Sequence, residues 1–188
     1  MTRTALIPTL VQKQTLAKQI GLVVGGAALT ALCAQATIPW QPVPFTLQTL
    51  AVTLCGITLG WRLGMLSQLA YLAAGASGLP VFADGAFGIQ RLFGPTAGYL
   101  WAFVLAAGLL GWLAEKGWDR KVGWTALALG LGNVLILGVG SAWLSLFTGV
   151  QTAFAAGFMP FIWGAVLKSL VVVAAMPVAW KFVGKEGK

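Results

Sequence analysis

The chain has 188 residues, of which 59% are hydrophobic and 9% are charged, and its mean hydropathy is +0.87. A soluble domain carries about 25% charged residues, so this composition excludes a soluble globular protein and indicates an integral membrane protein. No alternating period-two pattern of an outer-membrane barrel is visible. Histidine is absent, which excludes His-based triads and His metal sites. Because the sequence shows no nucleophile–base pair, we expect no enzymatic activity, and we expect no bound cofactor or metal ion.

The apolar residues fall into six runs, each near the length of about 20 residues that spans a bilayer as a helix. We predict a single all-α transmembrane domain over residues 1–188, with spans at 20–38, 45–60, 63–79, 94–113, 122–147 and 158–183. Three prolines in residues 39–44 break the chain after the first run. A Gly-rich segment at 79–88 is predicted to fold over an apolar surface, and residues 148–157 to form a short connection. Ala34-Gln35-Ala36 resembles a signal-peptide cleavage site, but the long basic lead and Gly/Ala-rich run favour an uncleaved helix.

The basic residues predict the orientation of these helices. With six spans and a cytoplasmic N-terminus, ten of the twelve Lys and Arg residues fall on the inner side, and the C-terminus is cytoplasmic too. This bias accounts for the net charge of +8, so no nucleic-acid partner is expected.

The two remaining cations, Arg91 and Lys168, lie on or within the outer half of the predicted bundle. A buried cation is costly unless it is paired or solvated. An ion pair of either cation with Asp84 is one explanation, and snorkelling of Lys168 is another. The third is a pocket that opens outward and binds an anionic or strongly polar ligand. Its candidate lining consists of polar and aromatic side chains: Thr46, Gln48, Asn133, Phe82, Tyr99 and Trp163.

Four segments together resemble the BioY family, the biotin-specific S components of energy-coupling factor (ECF) transporters. They are Pro42-Val43-Pro44-Phe45-Thr46-Leu47-Gln48-Thr49-Leu50, Gly78-Leu79-Pro80-Val81-Phe82-Ala83, Leu92-Phe93-Gly94-Pro95-Thr96-Ala97-Gly98-Tyr99-Leu100, and Pro160-Phe161 with Lys168. The resemblance runs in order over residues 20 to 183. It implies a six-helix protein of the bacterial inner (cytoplasmic) membrane, in contact with lipid, that binds biotin from outside. The binding residues would be those of the pocket just described.

The resemblance also implies protein partners, namely a transmembrane coupling subunit and a pair of ABC-type ATPases. Ala27 and Ala31, four residues apart, match the small-residue motif with which S components dock on the coupling subunit, although tight packing inside the bundle explains the same pair. One position departs from the family, because Ala165 stands where an Asp usually precedes the Lys of the sixth helix. Biotin would then be held differently or more weakly, or the ligand would be another vitamin or small carboxylate. A membrane bundle without transport function is the remaining alternative.

Overall fold

The computed structural model describes residues 5–10 and 15–186, with side chains through residue 183. It is helical apart from two short strands and the connecting loops. The helices are α1 (Leu6–Leu10), α2 (Leu16–Gln35), α3 (Gln48–Ala76), α4 (Ala97–Glu115), α5 (Val122–Thr148), α6 (Val150–Thr152) and α7 (Met159–Glu186). A π-helical segment, Ala153–Phe158, joins α6 to α7, and 3₁₀ turns lie at Ala83–Gly85, Ile89–Leu92 and Trp118–Arg120. Strands β1 (Thr37–Ile38) and β2 (Phe45–Thr46) pair antiparallel.

Five of the described helical segments are long and apolar enough to cross a membrane: Leu16–Gln35, Gln48–Ala76, Ala97–Glu115, Val122–Thr148 and Val150–Val183. The all-α prediction is therefore confirmed, while several predicted bounds are wrong. The first span ends at Gln35 because residues 37–38 enter the strand pair, and the second begins at Gln48 because Phe45 and Thr46 form the partner strand. The stretch 148–157 is mostly helical instead of a connecting loop.

The segment α3 is two helical arms that fold back on each other at Gly60. Gly60 has φ +83° and ψ 174°, outside the helical region and in the range that favours glycine. A Cβ built on Gly64 would lie 3.1 Å from the Cα of Gly56, whereas eight residues of one straight helix span about 12 Å. The Nε2 of Gln48 likewise lies 2.6 Å from the hydroxyl of Tyr71. We call residues 48–59 the first arm and residues 61–76 the second arm.

The bundle has two distinct ends. At the cavity end, the loop 36–47 and the cap loop, residues 77–96, connect the helices. At the Gly60 end, the Glu115 Oε1 atom accepts a hydrogen bond from the Trp61 backbone N–H at 3.2 Å. Six cations with described side chains lie toward this end: Lys18, Arg62, Lys116, Arg120, Lys121 and Lys181. Positive charge is thus concentrated at one face of the bundle.

The Gly60 end also contains a fully buried carboxylate, Asp119, in the turn between α4 and α5. Its Oδ2 accepts the indole N–H of Trp180 at 2.6 Å, and its Oδ1 has no hydrogen-bond partner among the described residues. The guanidinium of Arg120 lies 4.2 Å from the centre of the Trp180 ring. Burial raises the pKa of Asp119 above its ordinary value, with the Trp180 hydrogen bond and the Arg120 charge acting in the opposite direction.

Candidate functional site

A cavity of about 460 Å³ lies at the cavity end, between α3, α4, α5 and α7 and beneath the two loops. That volume is within the range of small-molecule sites, about 300–1,000 Å³. Seven side chains predicted from the sequence line it: Thr46, Gln48, Phe82, Arg91, Tyr99, Asn133 and Lys168. The structure therefore gathers residues from five separate segments of the chain around one space.

Lys168 enters the cavity from α7, nine residues after the helix begins at Met159. The side chain is half-buried, and its Nζ donates to the backbone carbonyl of Thr46 at 2.5 Å and to the Thr49 hydroxyl at 2.9 Å. Both acceptors are neutral, so the ion pair with Asp84 considered from the sequence is not how this cation is held. An ammonium has three donors, and the two bonds leave one N–H for a further acceptor.

Thr46 and Gln48 sit where β2 passes into the first arm of α3. The hydroxyl of Thr46 donates to Gln48 Oε1 at 2.8 Å and accepts the Gln48 backbone N–H at 3.2 Å. Gln48 Nε2 in turn donates to the Tyr71 hydroxyl on the second arm. Gln48 and Tyr71 are both buried, so this chain of bonds fixes the cavity wall to the hairpin behind it.

Asn133 brings an amide into the cavity from α5. Its Nδ2 donates to the backbone carbonyl of Leu129 at 2.8 Å and to the Ser169 hydroxyl at 2.9 Å. Both amide hydrogens are then occupied, and the side-chain carbonyl remains as an acceptor. Ala165, on the same face of α7 as Lys168, also lines the cavity and contributes only a methyl group.

Aromatic rings build the apolar part of the wall. Phe45 stacks on Phe161 with centroids 4.2 Å apart and an interplanar angle of 15°. Trp40 meets Phe45 edge-on at 5.8 Å, and Tyr99 lies 6.5 Å from Phe161. The Tyr99 hydroxyl donates to the Gly157 carbonyl at 2.8 Å, in the π-helical segment. The ring is therefore fixed in place, while its face remains available to an apolar ligand.

The cap loop supplies the rim of the cavity. Phe82 is 3% exposed, because its ring fills the space beside Gly75, where a Cβ would lie 2.1 Å from the ring. This confirms the expectation that the Gly-rich segment folds over an apolar surface. Asp84 and Arg91 are exposed and line the same cavity, so they form its charged edge. Gln35 of α2 ties the loop down by donating to the Phe82 carbonyl at 3.2 Å.

Trp163 is the predicted site residue that the structure does not bring to the cavity. It is 75% exposed, whereas Phe161, Gly164, Ala165 and Lys168 of the same helix face inward. At about 100° per residue, position 163 lies roughly 200° around the helix from position 161. Its indole therefore points away from the bundle.

Sequence reasoning missed Thr49, which lines the cavity and accepts a hydrogen bond from Lys168. The signal was its hydroxyl, directly after Gln48 in an otherwise apolar run. Ala27 and Ala31 are both half-buried, and both pack in part against the core that includes Tyr71 and Phe82. That placement agrees with the packing explanation of the pair and leaves part of each methyl group exposed.

Comparison with known proteins identifies the family. The BioY family model matches residues 4–185. A probable biotin transporter BioY of Pyrococcus horikoshii is 40% identical over 157 residues, which cover 84% of this chain and 93% of that protein. The biotin transporter BioY of Thermotoga maritima is 41% identical over 152 residues, or 79% and 86% of the two chains.

A solved structure agrees with these relatives. The crystal structure of the S component for biotin from an ECF-type ABC transporter superposes with a TM-score of 0.75 at 26% identity, covering 90% of this chain and 95% of that one. The family match extends over nearly the whole length, and the fold follows it. The chain belongs to the BioY family.

Proposed function

We propose that this chain takes up biotin as the substrate-binding S component of an ECF transporter, with the cavity between α3 and α7 as its binding site. The observation that carries the proposal is Lys168. Its ammonium is half-buried in a cavity of mixed polar and aromatic lining, is held by two neutral oxygens, and keeps one N–H free. A cation in such a place is a functional site by default, and a polar ligand completes its bonding.

The two polar ends of biotin suit the two polar regions of the cavity. We assign the ureido oxygen as the acceptor of the third Lys168 N–H, deep in the cavity. A ureido N–H would donate to the side-chain carbonyl oxygen of Asn133. The bicyclic ring and alkyl chain would then lie against Phe45 and Phe161. Arg91, exposed at the rim, is left to pair with the carboxylate.

Ala165 is the position that sets this cavity apart from the family pattern, since it offers no carboxylate beside Lys168. We infer that Asn133 takes over as acceptor for the ureido group. If that arrangement favours another vitamin or small carboxylate, the same cavity and transport role apply and only the ligand changes.

We further propose six transmembrane spans, with the two arms of α3 counted separately, and cytoplasmic termini. The concentration of Lys18, Arg62, Lys116, Arg120 and Lys181 toward the Gly60 end supports a cytoplasmic Gly60 end. The cavity then opens to the outer side of a bacterial inner membrane, where a captured vitamin arrives.

The partners we propose are an ECF transmembrane coupling subunit and its ABC-type ATPases, with α2 as the docking helix. Among the described spans, α2 is one of the least embedded, since only 11% of its most apolar 18-residue stretch is buried. Ala27 and Ala31 keep part of their surface accessible on this helix. Small residues allow a partner helix to approach closely, so Ala27→Leu is expected to weaken assembly with the coupling subunit.

Titration of the purified protein with biotin, followed by tryptophan fluorescence, tests the ligand. Trp40, at the cavity rim, reports on occupancy. We expect a saturable change with biotin. A flat response to biotin, together with a saturable response to another vitamin, would reassign the ligand.

Arg91→Gln tests the assignment of the ends with biotin and biotin methyl ester in parallel. An exposed ion pair contributes at most about 1 kcal/mol, so the variant should bind biotin up to about fivefold more weakly and the ester unchanged. Lys121→Gln, which removes an exposed cation at the Gly60 end, is the matched control. Equal losses for both ligands in Arg91→Gln would reject the carboxylate role.

A further inference from the structure

A second, separate groove lies on the outside of the bundle near the Gly60 end. It has a volume of about 370 Å³ and runs between the second arm of α3 and α4. Its lining is apolar: Trp61, Met65, Leu105, Gly108, Leu109 and Trp112. A Cβ on Gly108 would lie 2.7 Å from Met65 Sδ, so the absence of a side chain there allows Met65 to pack into the floor. Leu105 is 51% exposed, which leaves the groove open toward the membrane.

Two cations flank this groove, each held over one of its tryptophans. The Nζ of Lys116 lies 3.6 Å from the centre of the Trp112 ring, and the guanidinium carbon of Arg62 lies 5.0 Å from that of Trp61. Both cations are exposed. Each ring covers only one side of the charged group and accepts no conventional hydrogen bond from it. The N–H donors therefore remain available to an anion.

We propose that this groove binds an anionic phospholipid, with one acyl chain against the apolar floor and the phosphate between Arg62 and Lys116. Tryptophan is the side chain that prefers the level of lipid headgroups, and it marks both sides of the groove. Basic pockets between transmembrane helices select anionic headgroups on the cytoplasmic side of a membrane. The charge complementarity identifies the occupant, because an apolar helix of a second protein would leave both cations without an anion.

The test is native mass spectrometry of the purified full chain, titrated in detergent with palmitoyl-oleoyl phosphatidylglycerol (POPG) or the zwitterionic phosphatidylcholine analogue (POPC). Each cation near an anionic lipid contributes roughly a factor of five in affinity. We therefore expect the double variant Arg62→Gln/Lys116→Gln to bind POPG about thirtyfold more weakly and POPC unchanged. Lys121→Gln, which removes an exposed cation elsewhere at the same end, should bind both lipids like the parent chain.

Leu105→Trp fills the groove without changing its charge, and it should weaken binding of both lipids. Excess sn-glycerol 3-phosphate should not displace POPG, because it lacks the chain; displacement would mean that phosphate alone is recognised and would overturn the lipid assignment. Equal binding of POPG and POPC to the parent chain, or undiminished POPG binding to the double variant, would also overturn it. So would a dimer that excludes POPG, since the occupant would then be a second copy. Biotin titration of each variant should match the parent, because none of these residues lines the biotin cavity.

Discussion

Replacing Lys168 with Met tests the binding geometry most directly. Met keeps an unbranched apolar side chain of similar length and removes only the charged donor. In the parent chain two of the three ammonium donors are bonded to Thr46 and Thr49. The direct contact that a ligand loses therefore comes from the third donor.

The size of the effect follows from the type of bond that is lost. A hydrogen bond to a charged group contributes about 1.5–3 kcal/mol, equivalent to a roughly 10- to 150-fold change in Kd. If Lys168 binds the ureido oxygen, biotin and biotin methyl ester lose this bond equally. We thus expect both to bind 10- to 150-fold more weakly to Lys168→Met, with their ratio of affinities unchanged.

Isothermal titration calorimetry of the detergent-purified variant with each ligand measures both values. Lys181→Met is the matched control, since it removes an exposed cation from the same helix at the Gly60 end and should leave both affinities unaltered. A penalty confined to biotin would place the carboxylate at Lys168 and reverse the assignment of ends. Unchanged Kd values for both ligands would refute the argument from the free donor.

Three further predictions concern the scaffold around the site. Tyr71→Phe leaves the buried Gln48 amide without its acceptor, so we expect a loss of about 1–3 kcal/mol in the free energy of unfolding and weaker biotin binding, measured by chemical denaturation and titration. Gly60→Ala puts a side chain at φ +83° and 2.6 Å from Glu115 Oε1, and should lower the thermal midpoint, whereas Gly123→Ala, with open space around it, should not; equal midpoints would contradict the hairpin turn. For Asp119 the pKa is raised in the folded chain, so stability is greatest below the ordinary value of 3.8 and falls as pH rises through the folded pKa. Asp119→Asn should flatten this dependence in thermal scans at increasing pH from 3.8 upward, while its Oδ1 keeps an acceptor for Trp180. An unchanged pH profile would show that Asp119 is not its source.

The sequence predicted which side chains meet at the cavity better than it predicted the bounds of the helices. Arg91 and Lys168 were identifiable because charges are rare in this chain and these two alone break the positive-inside pattern. Both line the cavity, as do Gln48 and Asn133. A polar group in an apolar run is a strong signal, since hydrocarbon gives it no alternative partner.

The spacing of residues around α7 would have shown which of its side chains face the cavity, and the prediction did not use it. Phe161, Gly164, Ala165 and Lys168 follow the i, i+3, i+4, i+7 spacing of one helix face, and that face lines the cavity. The same spacing excludes Trp163, whose aromatic ring alone had suggested a binding role. Residue type indicated a ligand contact, while the angle around the helix placed the ring toward the membrane.

The helical segment before α7 could not have been predicted from local composition. Residues 148–157 contain Gly, Thr and Gln and look like a connection, yet Ala153–Phe158 form a π-helical segment. Pro160 has no N–H to continue the α-helical pattern backward. Tyr99, 58 positions away in sequence, donates to the Gly157 carbonyl, so a contact from another helix contributes to the local backbone arrangement.

Ala165 leaves the helix face that carries Lys168 without a carboxylate in this chain. A carboxylate three residues before Lys168 would lie on the same helix face, within reach of its ammonium. An ion pair there would take up a donor and lower the local charge. With Ala165 in that position, neutral oxygens of Thr46 and Thr49 hold the ammonium, and no carboxylate of the same helix face lies beside it. An acceptor on the bound molecule then completes the bonding of this cation, which links the cost of burying it to the occupancy of the site.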